Sequence, residues 1–347
     1  MFAQELENIG KISYKEIAKP KIGFNDVLVS VKAAGICGSD IPRIYETGAH
    51  NMPIIPGHEF AGEVVCAPGI GSGWLGKRVG VFPLIPCRKC APCLNRKYEM
   101  CRNYDYLGSR SNGAFAEFVR VPRLNLIELP DDVSYSCAAM LEPMAVAVHA
   151  IREVLKNQES IVVAGLGTIG LFVLMFLIEE KGPDNILVVG NKDIQKDRAI
   201  KMGLKEEAFC DIRKYDAVSW IKDKTEGLGS ELYFECVGTN AAICQAVECT
   251  RFSGTVRLVG NPASDINFER DTYWKILRNQ LSLKGTWNSS FLHDEEDDWN
   301  YVLRKVSEGR VNPEMMITHE FSPKELNKGF EIMKNKTEPY IKIMMKI

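Results

Sequence analysis

The sequence lacks the features that mark membrane proteins, nucleic-acid-binding proteins and secreted proteins. Its longest apolar run, from Ile169 to Ile178, covers about half of a membrane span and is typical of a buried helix. Basic and acidic side chains nearly balance, at 43 and 45, so no charge excess indicates a nucleic-acid partner. The start, MFAQELENIG, has no apolar core and does not resemble a signal peptide. These absences predict a cytoplasmic protein that binds neither membranes nor nucleic acids.

A change of pattern near residue 145 divides the chain of 347 residues, which is long enough for two domains. Before it, short β-type runs alternate with glycine and proline, as in an irregular, barrel-like β domain. After it, apolar strands alternate with helix-like segments, which is the signature of a parallel sheet. The chain ends in the apolar run YIKIMMKI, which we expect to add a strand to the first domain.

Four of the eleven cysteines lie in the stretch PCRKCAPCLNRKYEMC. Because clustered thiols in a reducing compartment are more often metal ligands than disulfides, we interpret these four as ligands of one zinc ion. They are Cys87, Cys90, Cys93 and Cys101. Four thiolates leave no open coordination position, so the ion should hold a loop at about residues 86–102. An iron–sulfur cluster is the alternative, although the fourth cysteine of bacterial ferredoxins follows sooner and precedes a proline.

A second set of metal-ligand residues is dispersed along the chain. Cys37 lies in GICGSD, His58 and Glu59 lie in GHEFAG, and Glu142 lies in MLEPM. One thiolate, one imidazole and one or two carboxylates suit zinc and leave a position for water or substrate. Alone, each residue has an ordinary interpretation, as a core cysteine or a surface glutamate. Together with their flanking glycines they predict a catalytic zinc site.

A glycine-rich segment follows the first strand of the predicted parallel sheet. In SIVVAGLGTIG, the residues Gly165, Gly167 and Gly170 form GxGxxG after an apolar strand and before a helix, which is the context of a dinucleotide-binding fingerprint. The first glycine permits the turn, the second lets a pyrophosphate approach the backbone, and the third lets helix and strand pack closely. The N-terminus of the helix supplies partial positive charge. The segment therefore predicts a dinucleotide site.

The position that distinguishes NAD from NADP lies at the end of the second strand of this sheet. An Asp or Glu there accepts hydrogen bonds from the ribose of NAD. In NILVVGNKD the strand ends in Gly190, Asn191 and Lys192, and Asp193 lies beyond the expected position. A small residue, an amide and a cation can accept a 2′-phosphate, so the sequence favours NADP over NAD. The predicted cofactor-binding residues are Gly165, Gly167, Thr168, Ile169, Gly170, Gly190, Asn191, Lys192, Val237, Val259 and Gly260.

In this order and spacing, CGSD, GHExxG, the four-cysteine segment, LEP and GLGTIG resemble the motifs of the zinc-dependent medium-chain alcohol and polyol dehydrogenases over essentially the whole chain. The resemblance implies an α/β protein with a GroES-like β-rich catalytic domain at 1–145 and 285–347. It implies a Rossmann domain, with a doubly wound parallel sheet, at 146–284, and an active site in the cleft between the domains. Two zinc ions per chain, NADP or NAD, and a homodimer or homotetramer are also implied.

The same resemblance implies roles for the residues of the catalytic site. Residues matching Cys37, His58 and Glu142 surround the catalytic zinc, with Glu59 either a ligand or just outside the ligand sphere. The ion stabilises a substrate alkoxide, and hydride passes between the carbinol carbon and the nicotinamide. Ser39 is the candidate for relaying the proton, and its alternative is a helix N-cap. Well-known alcohol dehydrogenases place a relay histidine five residues beyond the cysteine, where this chain has Pro42.

The narrower resemblance is to members that act on sugar-alcohol phosphates, through the segments CGSDIPRIYETGAH, YDYLGSRSNGAFAEF and LKGTWNSS. A phosphate needs cationic or amide donors, and Arg43 and Arg110 are the candidates, with surface arginines as the alternative interpretation. An unphosphorylated polyol such as sorbitol, or a pentitol phosphate, is the rival substrate. A function of another class, a non-catalytic zinc-stabilised redox sensor, also stays open, and two zinc ions per chain would favour the dehydrogenase.

Overall fold

The chain forms two compact units, as seen in a computed structural model that describes residues 1–262 and 264–347, without the side chains at 70 and 71. One unit comprises Met1–Ala145 and Ser289–Ile347, and the other comprises Val146–Asn288. The second unit ends at Asn288, three residues after Gly285, where the last strand of its sheet ends. Among the described residues, no helix combines the length and apolar character that crossing a membrane requires.

The described part of the chain contains seventeen strands and eleven α-helices. The strands are β1 (Phe2–Asn8), β2 (Lys11–Glu16), β3 (Asp26–Ile36), β4 (Glu59–Cys66), β5 (Arg78–Val81), β6 (Leu84–Ile85), β7 (Asp105–Tyr106), β8 (Phe118–Pro122), β9 (Leu126–Glu128), β10 (Ile161–Ala164), β11 (Ile186–Gly190), β12 (Phe209–Asp211), β13 (Ser230–Glu235), β14 (Thr250–Leu258), β15 (Ser282–Gly285), β16 (Ile317–Phe321) and β17 (Lys342–Lys346). The helices are α1 (Asp40–Pro42), α2 (Ala91–Leu94), α3 (Tyr135–Ala139), α4 (Leu141–Arg152), α5 (Thr168–Lys181), α6 (Asp193–Lys201), α7 (Ala217–Lys224), α8 (Asn240–Cys249), α9 (Arg270–Arg278), α10 (Asp298–Ser307) and α11 (Leu326–Asn335).

The first unit is built around the long strand β3. Its sheet has the order β16-β17-β3-β4-β5-β9, and β8 also pairs with β3. The side chains of Val27, Val29 and Val31 are fully buried in the core, as expected for a central strand. Strand β17 runs antiparallel to β3, with Met344 opposite Gly35. The prediction that the final apolar run adds a strand to this domain is therefore confirmed.

The second unit contains a six-stranded sheet in the order β12-β11-β10-β13-β14-β15, and every pairing is parallel. In order of appearance this is 3-2-1-4-5-6, the doubly wound Rossmann order. Its central strand β10 is apolar throughout and fully buried from Ile161 to Val163. Helix α5 follows β10 and is buried from Gly170 to Leu177, so the apolar run noted in the sequence is a core helix.

Candidate active site

The four cysteines of the 86–102 segment converge on one point in the first unit. Their Sγ atoms lie 4.0 Å apart for Cys87 and Cys93, 3.5 Å for Cys90 and Cys93, and 3.8 Å for Cys90 and Cys101. A tetrahedral zinc site with Zn–S bonds of about 2.3 Å has S···S edges of about 3.8 Å. Backbone N–H groups of Arg102 and Cys93 lower the pKa of Cys90 to about 6, which favours a thiolate ligand. The donor set and its spacing therefore fit zinc.

A second metal-ligand set forms where β3 ends and β4 begins. These strands are antiparallel, with Gly35 opposite Glu59, so the residues just after β3 lie beside those at the start of β4. One donor atom each of Cys37, His58 and Glu59 lies within 4.8 Å of the other two. A thiolate, an imidazole and a carboxylate at this spacing can hold one zinc ion and leave a coordination position open.

Glu142 lies next to this set but does not belong to the group of three within 4.8 Å. It stands in the first turn of α4, is buried, and accepts a hydrogen bond of 3.1 Å from the hydroxyl of Tyr106. Burial raises the pKa of Glu142 to about 7, and the nearby Glu59 carboxylate acts in the same direction. The ring of Tyr106 packs edge-on against His58, with 5.7 Å between ring centroids. Tyr106 is absent from the residues predicted for the site.

Asp40, the last residue of CGSD, is a functional candidate that sequence reasoning missed. Its side chain is fully buried and accepts hydrogen bonds from the N–H of Cys37, at 3.0 Å, and from Nη1 of Arg43, at 2.7 Å. Oδ1 of Asp40 also lies 3.5 Å from Nδ1 of His58. Burial opposes a charge on this imidazole, yet Asp40 and Cys37 raise the pKa of His58 well above its usual value. A carboxylate behind a metal-binding histidine is a common orienting arrangement, and its position inside CGSD was the available signal.

Glu59 has a buried partner from the other end of the chain. It forms an ion pair with Lys342 of β17, whose Nζ also donates to the carbonyl of Ile36 at 3.1 Å. The glycine at position 35 makes room for this pair, because a Cβ there would lie 2.6 Å from Cε of Lys342. The short run YIKIMMKI contains no signal that its first lysine is buried against a metal-site carboxylate.

The predicted relay and phosphate residues have distinct surroundings. The hydroxyl of Ser39 donates to Sγ of Cys37 at 3.3 Å and makes no capping hydrogen bond to α1, although Ser39 precedes that helix. Nη1 of Arg43 donates a hydrogen bond to the carboxylate of Asp40. The guanidinium of Arg110 lies 4.5 Å above the ring of Tyr104, and its Nε has no hydrogen-bond partner among the described residues.

The three fingerprint glycines in the second unit have the surroundings that a dinucleotide site requires. Gly165 has a φ of +89°, which other residues rarely adopt. Gly167 precedes α5, and a Cβ there would meet no atom within 4 Å, so the backbone is open to a phosphate. A Cβ at Gly170 would overlap the carbonyl oxygen of Gly165. The turn therefore fits the pyrophosphate of a nicotinamide dinucleotide.

Glu235, at the end of β13, accepts hydrogen bonds from the two turns that contain the predicted cofactor residues Val237, Val259 and Gly260. Its Oε1 accepts hydrogen bonds of 2.8 Å from the N–H groups of Val237 and Gly238. Its backbone carbonyl accepts from Val259 and Gly260 at 2.9 Å each. Sequence reasoning missed Glu235, although a carboxylate at the end of the apolar strand ELYFECVG was a visible anomaly.

The second strand ends without an acidic residue, as predicted. A Cβ at Gly190 would lie 2.9 Å from Cζ of Phe209, so the aromatic ring fills the space that a side chain at Gly190 would need. Asn191 follows the strand and Lys192 is the N-cap residue of α6. The carboxylate that usually accepts hydrogen bonds from the ribose hydroxyls of NAD is therefore missing from the C-terminal end of β11.

Two family models match the chain. The model of the alcohol dehydrogenase GroES-like domain covers residues 23–131, and that of the zinc-binding dehydrogenases covers residues 168–308. Galactitol 1-phosphate 5-dehydrogenase of Escherichia coli strain K12 is 30% identical over 319 residues, or 89% of this chain and 90% of that protein. Sorbitol dehydrogenase of Halalkalibacterium halodurans is 29% identical and covers 94% of this chain and 93% of its own.

Solved structures agree with these matches. The crystal structure of galactitol-1-phosphate dehydrogenase from Escherichia coli superposes with a TM-score of 0.90 and 28% identity, over the full length of both chains. A zinc-binding dehydrogenase from Sinorhizobium meliloti, solved with bound NADP, has a TM-score of 0.90 and 25% identity, over 100% of this chain and 99% of its own. The predicted fold class, a GroES-like domain with a Rossmann domain, is confirmed.

Proposed function

The chain belongs to the zinc-binding dehydrogenases of the alcohol dehydrogenase family, and we propose that it oxidises a secondary alcohol of a sugar-alcohol phosphate, with NADP preferred to NAD. The convergence of Cys37, His58 and Glu59 carries the proposal, because these donors suit a zinc site that remains open to substrate. The 30% identity to galactitol 1-phosphate 5-dehydrogenase supports the substrate class. The absence of a carboxylate at the C-terminal end of β11, at Gly190, supports the preference for NADP.

The residues around the candidate metal site would have different roles in the oxidation of an alcohol. Zinc bound here would act as a Lewis acid on the substrate oxygen and lower the cost of removing its proton. Cys37 and His58 would hold the ion together with one of the two glutamates, and Asp40 orients the imidazole. Ser39, whose hydroxyl lies beside Cys37, hydrogen-bonds the substrate oxygen and passes its proton on. Pro42 offers no proton-transfer group at the position where well-known alcohol dehydrogenases carry a histidine.

Arg110 is the better of the two candidates for binding the substrate phosphate. Its loop packs against the segment that carries His58, since Ala114 N–H donates to the carbonyl of Gly57 at 2.9 Å. Its Nε lacks a partner among the described residues, whereas Arg43 is already paired with Asp40. We therefore expect Arg110→Ala to raise the KM for a polyol phosphate about tenfold and to leave the KM for a free polyol nearly unchanged.

A steady-state screen tests the substrate class. Galactitol 1-phosphate, a pentitol phosphate, galactitol, sorbitol and L-threonine are each assayed with NADP and with NAD. The proposal predicts that kcat/KM for a phosphorylated polyol exceeds that for its free form by about tenfold or more. A higher value for sorbitol would favour an unphosphorylated substrate, which the 29% identity to sorbitol dehydrogenase supports as the second candidate. A tenfold preference for NAD would reject the cofactor assignment alone.

We also propose that the chain forms a homodimer or homotetramer. Helix α9 leaves three large apolar side chains about half exposed, Tyr273 at 53%, Trp274 at 46% and Leu277 at 51%. Strand β15, the next element, is at the edge of its sheet with backbone groups available for pairing. Analytical ultracentrifugation of the zinc-loaded enzyme tests this, and a single monomeric species at micromolar concentration would contradict it.

A further inference from the structure

Arg213, just after β12, is held by two carboxylates at the edge of the Rossmann sheet. Its Nε and Nη2 donate to the two carboxylate oxygens of Asp211, at 2.8 and 2.7 Å. Nη2 also donates to Oδ1 of Asp193, the first residue of α6, at 2.5 Å. The side chain of Asp211 is 10% exposed, whereas that of Asp193 is 80% exposed. The inner ion pair is therefore fixed by two parallel hydrogen bonds, and the outer one is open to water.

Arg213 and its two carboxylate partners lie beside the C-terminal end of β11, where the adenosine ribose of a dinucleotide binds. Gly190 and Asp211 are register partners in the parallel pair of β11 and β12. The N–H of Ile212 donates to the carbonyl of Gly190 at 3.1 Å. Arg213 is thus one residue away from a direct backbone contact with the strand tip. No cation of the third strand was among the residues predicted for cofactor binding.

The carboxylates of Asp211 and Asp193, beside the end of β11, are not placed to accept hydrogen bonds from the ribose hydroxyls of NAD. Gly190 cannot be replaced by an acid without displacing Phe209, whose ring would meet the new Cβ at 2.9 Å. Both oxygens of Asp211 are used by Arg213, and Asp193 is turned toward the same guanidinium. The side chain of Arg213 is 45% exposed, so an anion can reach it from solvent.

We propose that Arg213 binds the 2′-phosphate of NADP, and that the carboxylate of Asp193 occupies the place of that phosphate while the cofactor is absent. The inference rests on the proposed preference for NADP. Asp211 positions the guanidinium. The exposed ion pair with Asp193 contributes little, so a phosphate group, with more charge and three acceptor oxygens, displaces that carboxylate. Arg213, which follows the third strand, is then a specificity-determining residue in addition to Asn191 and Lys192, which follow the second.

One substitution, Asp193→Asn, distinguishes between two roles of Asp193. If Arg213 binds the phosphate, Asp193→Asn removes a competitor and strengthens binding of the phosphorylated ribose. If Asp193 instead accepts hydrogen bonds from the ribose hydroxyls of NAD, the same substitution weakens binding of the unphosphorylated ribose. Asp193→Asn leaves the inner pair of Arg213 and Asp211 intact, so it tests the inference even if removal of Arg213 impairs folding.

The experiment is calorimetric titration of the zinc-loaded, full-length enzyme with 2′,5′-ADP and with 5′-AMP. The variants are Arg213→Ala, Arg213→Lys and Asp193→Asn. Lys201→Ala is the control for loss of one positive charge, since Lys201 lies at the far end of α6, about 12 Å along the helix from Asp193.

We expect Arg213→Ala to weaken 2′,5′-ADP binding by about tenfold or more, with little change for 5′-AMP, and Arg213→Lys to fall in between. Asp193→Asn should tighten 2′,5′-ADP binding several-fold, and Lys201→Ala should change neither ligand. If the unsubstituted enzyme prefers 2′,5′-ADP but Arg213→Ala and Asp193→Asn leave that preference intact, the inference about Arg213 is wrong and the preference for NADP stands. If the unsubstituted enzyme does not distinguish the two ligands, the preference for NADP is wrong as well.

Discussion

Lys342 and Glu59 form an ion pair in which the side chains are only 1% and 2% exposed, although 283 residues separate them in the chain. Lys342 belongs to β17 and Glu59 begins β4, and β3 lies between these strands in the sheet. Burying either charge alone is costly, whereas the pair compensates both. Strand β17 therefore supplies the counter-charge for a carboxylate of the candidate metal site.

We predict that Lys342→Met lowers the free energy of unfolding by about 3–5 kcal/mol, because it leaves Glu59 buried without its partner. Urea denaturation of the zinc-loaded enzyme measures this. The control is Lys346→Met on the same strand, whose ion pair with Glu320 is 46% exposed on both sides and should contribute about 0–1 kcal/mol. Equal effects of the two substitutions would show that the buried pair is not a significant source of stability.

Tyr106→Phe removes only the hydroxyl that donates to Glu142. We expect kcat to fall several-fold, equivalent to about 1 kcal/mol for the loss of one hydrogen bond, with an unchanged KM for the cofactor. Tyr104→Phe is the matched control, because the two rings are neighbours at 6.2 Å and the structure shows no hydrogen bond from the Tyr104 hydroxyl to a described residue. A loss of activity as large in Tyr104→Phe would argue against a specific role for the Tyr106 hydroxyl.

Asp40→Asn keeps the shape of the side chain but removes the charge that faces His58. Removing such an orienting partner typically weakens a metal site by about 10–100-fold, so the zinc content after dialysis should fall from two ions per chain toward one. Metal analysis of the dialysed protein provides the measurement, and Asp294→Asn, at an exposed ion pair, serves as control. Retention of both ions at micromolar chelator would show that Asp40 does not support the site.

Cys93→Ser should release the zinc ion of the four-cysteine segment and lower the melting temperature. The side chain of Cys93 is buried, and a hydroxyl cannot replace the thiolate of a closed site. Cys66→Ser, at an exposed cysteine outside the segment, should change neither zinc content nor melting temperature. If Cys93→Ser bound two zinc ions as tightly as before, the four-thiolate assignment would be excluded.

The pair of Asp211 and Arg213 should contribute to stability in a pH-dependent manner. The hydrogen bonds from Arg213 lower the pKa of Asp211 to about 2. An acid whose pKa is lowered by folding stabilises the protein above its unfolded pKa, about 3.9, and loses this contribution as the pH falls toward 2. The difference in melting temperature between the unsubstituted enzyme and Asp211→Asn should therefore be constant from pH 7 to 5 and shrink below pH 4. A difference that stays constant down to pH 3 would contradict the lowered pKa.

Motifs of closely spaced residues could be interpreted from the sequence because their chemistry is local. The four cysteines fall within fifteen positions, and their Sγ atoms meet at tetrahedral distances. GxGxxG lies in one strand, turn and helix, so the positive φ of Gly165 and the close approach of Gly170 to Gly165 arise within the segment. The alternation of apolar strands and helices likewise predicts a parallel sheet, because both faces of such strands must be covered.

The sequence alone thus determined the fold class, and it predicted the candidate zinc ligands and the dinucleotide turn. Only the tertiary structure decided which charged residues surround these sites. Asp40 lies beside His58, Lys342 pairs with Glu59, and Glu235 accepts hydrogen bonds from the turn after β13. Asp211 lies opposite Gly190 and holds Arg213. Most of these partners are set by strand order and register, which depend on how distant segments pack together. A side chain's neighbours across a sheet are not encoded in its local pattern, and the cost of burying a charge becomes visible only once the opposing strand is in place.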